Sequence, residues 1–420
     1  MLARGGEWMV DLLEVHVDEV EWLWRQRHAA LRSKEYDFRA LVQLDERIAA
    51  HVDALVLAGE EAWALLRTRL VEAEDAYAAF GAAHALLLQE DAAVARQTLA
   101  LSAGLEGAAW EGFRLALRYA PPARYVDALR SLVAGASERH AAAALEALAF
   151  HGLPDPGGRL LDLLGAAQPD VRRVAWGTVS LLPLRWLEAP GQARFWQRLV
   201  QRFPTALADA SSGVRDAARW AAAWTRQPWL LSSLRTLAKA PASPDHVPGL
   251  TLLAVLGAQV DLPLFEEALG RRELGPGRFL LAGTFGHPGL MEEVLRAMES
   301  GGPAVAAAAA NSFRKLTGLD VNTPHRVAVL PTEELEEEDS TEEVHIPDAV
   351  AARNHWGLLK GALSGVPRLC MGADALKGWT QAWLRGLPLD ARWEHALREH
   401  FETGRGGGVL ALKRFPQLPE

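Results

Sequence analysis

Few side chains in this sequence have the types and the spacing that metal binding requires. His395 and Glu399 lie four residues apart, so on a helix they would share one face, as two ligands of a metal ion can do. No known pattern offers a further ligand, because the sequence contains no HExxH motif, no CxxC motif and no His-Glu dipeptide. We therefore predict no metal site.

Motifs for nucleophilic catalysis and phosphate binding are also incomplete. The glycine-rich run Gly404–Gly408 lacks the Lys-Ser/Thr of a P-loop and has no strand before it. Ser364 stands in GALSG, which lacks the G-x-S-x-G spacing. Cys370 is the only cysteine, and its apolar context PRLCMG favours a buried, inert thiol. We predict no catalytic residue, no cofactor and a protein that is not an enzyme.

Arginine and tryptophan recur together in the central part of the chain. Both side chains combine a large contact area with polar groups, which is why they dominate many protein interfaces. At helical spacing the tryptophans could equally pack between helices while the arginines remain solvated. The predicted partner-binding residues are Arg172, Arg173, Trp176, Arg215, Arg219, Trp220 and Trp224.

The net charge of −9 is concentrated in one segment. Residues 333–343 hold eight acidic side chains and no basic one, which leaves a charge of −1 for the rest of the chain. A nearly neutral body gives no support for nucleic-acid binding. The acidic loop could act as a clamp for a basic partner. It consists of Glu333, Glu334, Glu336, Glu337, Glu338 and Asp339.

The elements that must position these residues are predicted to be helices in a repeating pattern. Clusters of Gly, Pro, Ser and Asp recur along the chain, and each stops one helix and caps the next. An Ala/Leu-rich helix follows each cluster, and an insertion around residues 182–192 lengthens one unit. A helix pair cannot bury its apolar faces alone, so the pairs must stack into an all-α α-solenoid. The units start at Glu74, Leu105, Ser137, Pro169, Ser212, Asp245, Gly275 and Gly302.

Two segments resemble HEAT repeats, in which Val-Arg follows a turn residue and small residues come next. They are QPDVRRVAWGTVSLL (168–182) and SGVRDAARWAAAW (212–224). Further segments occur in an order similar to that of a family of bacterial proteins with HEAT-like repeats, often encoded near type VI secretion components. These are LVQLDERIAAHVDALVLAGEEAW (41–63), FRKLTGLD (313–320), HIPDAVAA (345–352) and VPRLCMG (366–372). The sequence departs from that family at GRGGGV (404–409), where more helix is expected.

The sequence divides into four predicted regions, and the resemblance implies a scaffolding role. The regions are an N-terminal helical cap (1–59), a HEAT-like repeat array (60–320), an acidic linker (321–347) and a C-terminal helical domain (348–420). Such a scaffold or adaptor would bind a type VI secretion effector, adaptor or tip component. The alternative is a HEAT-like DNA-binding enzyme such as an alkylpurine DNA glycosylase, which needs the predicted arginines gathered around one buried carboxylate.

The sequence also gives an expectation for localisation. Glu7, Asp11 and Glu14 stand where a secretory signal would need a basic start and an apolar core. The longest apolar run, Gly249–Val260, is too short to cross a bilayer. We expect a cytoplasmic protein that does not bind membranes.

Overall fold

A computed structural model describes residues 4–31, 33–154, 157–329, 342–377 and 380–404. This part of the chain is mostly helical, as the all-α prediction requires. It forms two compact units. Unit 1 comprises residues 1–227 and 403–420, and unit 2 comprises residues 228–402.

Unit 1 contains fourteen of the α-helices in the described ranges. They are α1 (Arg4–Ala30), α2 (Phe38–Leu57), α3 (Glu60–Val71), α4 (Ala76–Leu88), α5 (Ala92–Leu101), α6 (Gly107–Tyr119), α7 (Val126–Ala134), α8 (Glu138–Phe150), α9 (Gly157–Leu163), α10 (Pro169–Val179), α11 (Leu184–Leu187), α12 (Ala193–Val200), α13 (Phe203–Leu207) and α14 (Ser212–Trp224).

The Ala-rich helices of unit 1 pack side by side in chain order. Helix α4 contacts α6, α6 contacts α8, α8 contacts α10, and α10 contacts α14. Small residues permit this close approach. A Cβ on Gly112 of α6 would lie 2.6 Å from the Cβ of Ala79 and 2.7 Å from the backbone nitrogen of Phe80, both on α4. Helix α1 covers α4, and its Trp24 ring stacks on Phe80 at 3.6 Å.

The turn clusters in the sequence mark the helix starts. Each of the eight predicted unit starts lies within two residues of the first residue of a helix. Asp75 caps α4 by accepting hydrogen bonds from the backbone nitrogens of Tyr77 and Ala78, and Ser137 caps α8 in the same way. These side chains satisfy backbone N–H groups that have no partner in the first turn of a helix.

Unit 2 continues with further helices and adds four short strands. They are α15 (Leu230–Ala238), α16 (His246–Leu256), α17 (Leu262–Gly270), α18 (Gly277–Phe285), α19 (Met291–Ser300), α20 (Pro303–Thr317), β1 (Asn322–Val329), β2 (Glu342–Pro347), α21 (Ala349–Leu363), β3 (Leu369–Cys370), β4 (Ala373–Asp374), α22 (Gln381–Gly386) and α23 (Leu389–Thr403). Helix α16 packs on α18, α18 packs on α20, and α21 packs on α19.

The strands are the main departure from the predicted elements. Strands β1 and β2 pair in antiparallel fashion, with Arg326 opposite His345, inside the range predicted as a linker. Strand β1 is mostly exposed and β2 is mostly half-buried, and neither sequence shows the apolar alternation that signals a half-buried strand. Strands β3 and β4 form a second, shorter hairpin within the predicted C-terminal helical domain.

Candidate functional site

Arg172 on α10 is bound on both edges of its guanidinium group. Its Nε and Nη2 donate to the two carboxylate oxygens of Asp209 at 2.7 and 2.9 Å. Its Nη1 donates to the carbonyl oxygens of Ala166 and Ala167, each at 2.8 Å. The hydrogen bond from Arg172 lowers the pKa of the Asp209 carboxyl. Because Asp209 lies in the turn before α14, this pair ties one repeat unit to the next.

Other arginines bind turn carbonyls or turn carboxylates in a similar way. Arg215 on α14 donates to the carbonyl oxygens of Asp209 and Ala210, which precede it by six and five residues. The carbonyl partners of Arg172 precede it by the same spacing. In unit 2, Arg235 donates to both carboxylate oxygens of Asp261 at 2.6 and 3.1 Å. These arginines therefore cross-link the turns and helices of their own units.

The tryptophans of the predicted partner-binding set lie largely inside unit 1. Trp176 and Trp224 are buried, and the Trp176 ring packs against Phe203 at 4.7 Å. Trp220 is half-buried, and Arg219 is buried. Trp176 thus packs between helices of unit 1, and a role of these residues in partner binding stays a prediction.

The remaining ion pairs of these arginines lead to separate carboxylates. Arg173, whose side chain is 38% exposed, lies 3.9 Å from Glu111 and 3.7 Å from Asp170. Arg219 lies 3.7 Å from Asp216. Arg172, Arg173 and Arg219 thus lie near different carboxylates, whereas the DNA glycosylase alternative requires one buried carboxylate among the predicted arginines.

The insertion between α10 and α14 displays a different group of arginines. Arg185 on α11 and Arg194 and Arg198 on α12 are exposed, and no ion pair of these three is seen in the described part of the chain. Trp186 and Trp196 beside them are half-buried. The Trp186 ring meets Phe195 edge-on at 5.6 Å, which holds α11 against α12. We call Arg185, Trp186, Arg194, Trp196 and Arg198 the insertion patch.

The acidic loop lies outside the described residues. Glu333, Glu334, Glu336, Glu337, Glu338 and Asp339 fall between β1 and β2, in the stretch 330–341. The predicted clamp therefore stays a prediction.

Unit 2 contains a buried polar cavity that the sequence did not predict. Its volume is about 20 Å³, which is room for about one water molecule. The wall comes from α16, α18, α20, the β3–β4 hairpin and α23, so two of the segments that carry the family resemblance meet here. The polar and ionisable side chains that line it include Lys315, Arg368, Cys370, Glu394, His395 and Arg398.

Lys315 on α20 joins α23 through two carboxylates. Its Nζ donates to Asp390 at 2.9 Å and to Glu394 at 2.8 Å, and Thr284 also donates to Glu394 at 3.0 Å. Burial alone would lower the pKa of Lys315, but the two carboxylates outweigh it and the pKa is raised. The amine therefore stays charged and is not a nucleophile at neutral pH.

The β3–β4 hairpin fits between the ends of α18 and α20. Met371 and Gly372 have positive φ angles of 48° and 76°, which the two-residue turn requires. The backbone nitrogen of Leu369 donates to the carbonyl of Gly286 at 2.6 Å, and that of Met371 donates to the carbonyl of Lys315 at 2.7 Å. The hairpin thereby places the Arg368 and Cys370 side chains in the wall of the cavity.

Arg368 binds the carboxyl ends of two helices. It donates to the carbonyl oxygens of Ala254, of Gly257 at 3.1 Å and of Thr284 at 3.3 Å. The partial negative charge at a helix C-terminus favours a cation there. Burial and the nearby charge of Arg398 nevertheless lower the pKa of Arg368 to about 9.

His395 and Arg398, three residues apart on α23, bind each other. Arg398 Nη2 lies 2.9 Å from His395 Nδ1 and donates to the carbonyl of Ala375 at 2.9 Å. Because a guanidinium group only donates, Nδ1 accepts and the ring proton is on Nε2. Burial and the charges of Arg398 and Arg368 lower the pKa of His395 to about 3, so the ring is neutral.

The pair His395 and Glu399, for which no metal site is predicted, lies at the edge of this cavity. His395 Nε2 and the carboxylate of Glu399 are 4.0 Å apart. In the described ranges no group of three or more His, Cys, Asp or Glu side chains is placed to hold a metal ion. Burial raises the pKa of the Cys370 thiol to about 12, so it stays protonated. The cavity wall thus presents hydrogen-bond donors and positive charge. Its lysine and its thiol are protonated and are not nucleophiles, and its imidazole has a low pKa and is a weak base.

Comparisons give no further guide to function. The chain matches no protein-family model and no curated protein. Within the described ranges, no helix is long and apolar enough to cross a membrane.

Proposed function

We propose that the protein is a non-enzymatic scaffold that binds protein partners, with its helix pairs arranged as a HEAT-like α-solenoid. The row of Ala-rich helices in unit 1 and the match between the turn clusters and the helix starts support this arrangement. The family resemblance makes a type VI secretion effector, adaptor or tip component the proposed partner. In this role the fold supplies a rigid surface, and binding is an equilibrium.

The observation that carries the proposal is the insertion patch. Elsewhere in unit 1 many arginines are neutralised inside the fold, as Arg172 is by Asp209 and Arg114 is by Glu146. The three arginines of the insertion patch are exposed and have no such partner among the described residues. Unpaired arginines beside tryptophans are the composition of interface hot spots.

The charge of the patch defines the chemistry of the partner. Three cations without counter-charges favour an acidic surface and disfavour a basic one. The half-buried indoles leave part of their rings to contact apolar side chains between the acidic groups. We therefore propose that the partner presents carboxylates around an apolar centre.

A pair of matched double variants tests the proposal. Arg194→Glu/Arg198→Glu reverses the patch, and Arg39→Glu/Arg96→Glu reverses two other exposed arginines of unit 1 for which no ion pair is seen in the described ranges. Each tagged protein is used to capture partners from the host and then to bind purified type VI secretion components one at a time. We expect the patch variant to lose at least tenfold in affinity while the control keeps wild-type binding.

The outcomes separate the alternatives. Equal binding by both double variants would exclude the insertion patch as the contact surface. Capture of nucleic acid by the wild type and the control, lost in the patch variant and weakened steeply by salt, would favour the DNA-binding alternative. Turnover of a captured ligand would contradict a non-enzymatic role.

A further inference from the structure

The charges around the cavity of unit 2 do not balance. Lys315, Arg368 and Arg398 carry three positive charges, whereas the two carboxylates bonded to Lys315, those of Asp390 and Glu394, carry two negative charges. Arg368 and Arg398 are 4% and 6% exposed. In the described part of the chain, no carboxylate lies within ion-pair distance of either guanidinium, since their hydrogen bonds go to carbonyl oxygens and to His395.

Donors on the cavity wall outnumber acceptors. Arg368 Nε is buried and has no acceptor in the described ranges. The Cys370 thiol is protonated and can donate a weak hydrogen bond. A buried charged donor without an acceptor is costly, and a bound anion is a common remedy. Glu399 and Glu402 lie further out on α23 and keep contact with solvent.

We propose that this cavity binds one monatomic anion of the size of chloride between Arg368 and Arg398. A volume of about 20 Å³ has room for about one water molecule or one such ion. The protonated thiol of Cys370 adds a donor without adding negative charge. Bound there, the anion joins α23 to the β3–β4 hairpin, because Arg398 and Arg368 come from these two elements.

Bromide gives a direct test on the wild-type protein. Bromide has the chemistry of chloride and can be located in a crystal by its anomalous scattering. We expect one anomalous peak within hydrogen-bonding distance of Arg368 Nε or of the Arg398 guanidinium. Density that fits water, with no anomalous signal at saturating bromide, would overturn the proposal.

Thermal unfolding tests the same site in solution. Ionic strength is held constant while gluconate, which is too large to enter, is replaced by chloride. When chloride exceeds its dissociation constant tenfold, we expect the unfolding midpoint of unit 2 to rise by about 3 °C. Arg398→Met should abolish this rise, and Arg353→Met, which removes an exposed arginine of α21, should keep it.

The two measurements do not depend on each other. If Arg398→Met fails to fold, the bromide experiment and the chloride dependence of the wild type still decide. A rise of equal size in both variants would mean that chloride acts elsewhere, and would refute the assignment. None of these results depends on partner binding at the insertion patch, so the proposal stands or falls separately from the proposed function.

Discussion

His395, one of the buried histidines of unit 2, should make the protein lose stability as the pH falls. A group with a lowered pKa in the folded state contributes stability above its unfolded pKa and loses it as the pH drops. His395 has a pKa of about 3 in the fold and 6.5 without it. Protonation would also remove the Nδ1 acceptor of Arg398 and place a third positive charge beside Arg368.

The size of the effect follows from this shift. Below pH 6.5 the unfolded chain binds a proton at this histidine that the folded chain does not bind. The free energy of unfolding therefore falls by about 1.4 kcal/mol for each pH unit. From about pH 7.5 to about pH 4.5, His395 alone should therefore remove about 2.7 kcal/mol from the free energy of unfolding. A glutamine at this position can accept the bond from Arg398 without titrating, so His395→Gln should lack this loss.

The assay is urea unfolding of wild type, His395→Gln and a control at several pH values. His355→Gln serves as the control because His355 is an exposed histidine of the same unit. We expect the stability difference between wild type and His395→Gln to change by about 2.7 kcal/mol across the range, and the control to run parallel to the wild type. Parallel curves for His395→Gln would show that His395 titrates normally, and the reasoning from the two arginines would be refuted.

Three further predictions concern single side chains. Arg172→Ala should destabilise unit 1 by about 2 kcal/mol, because Asp209 loses its charged hydrogen bonds; a loss below about 0.5 kcal/mol in urea unfolding would contradict this. Cys370 should react with iodoacetamide roughly 10³-fold more slowly in the folded than in the unfolded protein at pH 8, and equal rates would show an accessible thiolate. Gly112→Ala should cost about 1–3 kcal/mol through overlap with α4, whereas Gly177→Ala, whose Cβ meets no atom within 4 Å, should stabilise the helix by about 0.5–1 kcal/mol. Thermal unfolding of the two alanine variants tests this prediction. Similar unfolding midpoints for Gly112→Ala and Gly177→Ala would argue against close contact between α4 and α6.

The sequence was informative about helices because the signals are local. A turn cluster with a capping Asp or Ser satisfies the first backbone N–H groups of the helix that follows, and both the cap and the helix lie within a few residues. The unit starts could therefore be located to within two residues. The β1–β2 hairpin lacks such a local signal, because its strands show no regular alternation of apolar and polar residues.

The roles of the arginines could not be read from their spacing. Arg172 and Arg194 are both arginines on short amphipathic helices, yet one is neutralised by Asp209 and the other is exposed. The difference depends on a carboxylate 37 residues away, and only the packing of α10 against α14 brings it within reach. In a helical repeat, an acidic residue in the turn before the next unit is the signal that would mark a structural arginine.

The cavity of unit 2 shows why motif searching misses a site of this kind. Its charged groups are single residues in otherwise apolar or turn segments, Lys315 in FRKLTGLD and Arg368 in VPRLCMG, and neither segment matches a catalytic pattern. A lone buried cation is costly unless the fold supplies a partner for it. Lys315 finds its partners on α23, whereas Arg368 finds only helix-end carbonyls, and it is this imbalance that an anion would correct.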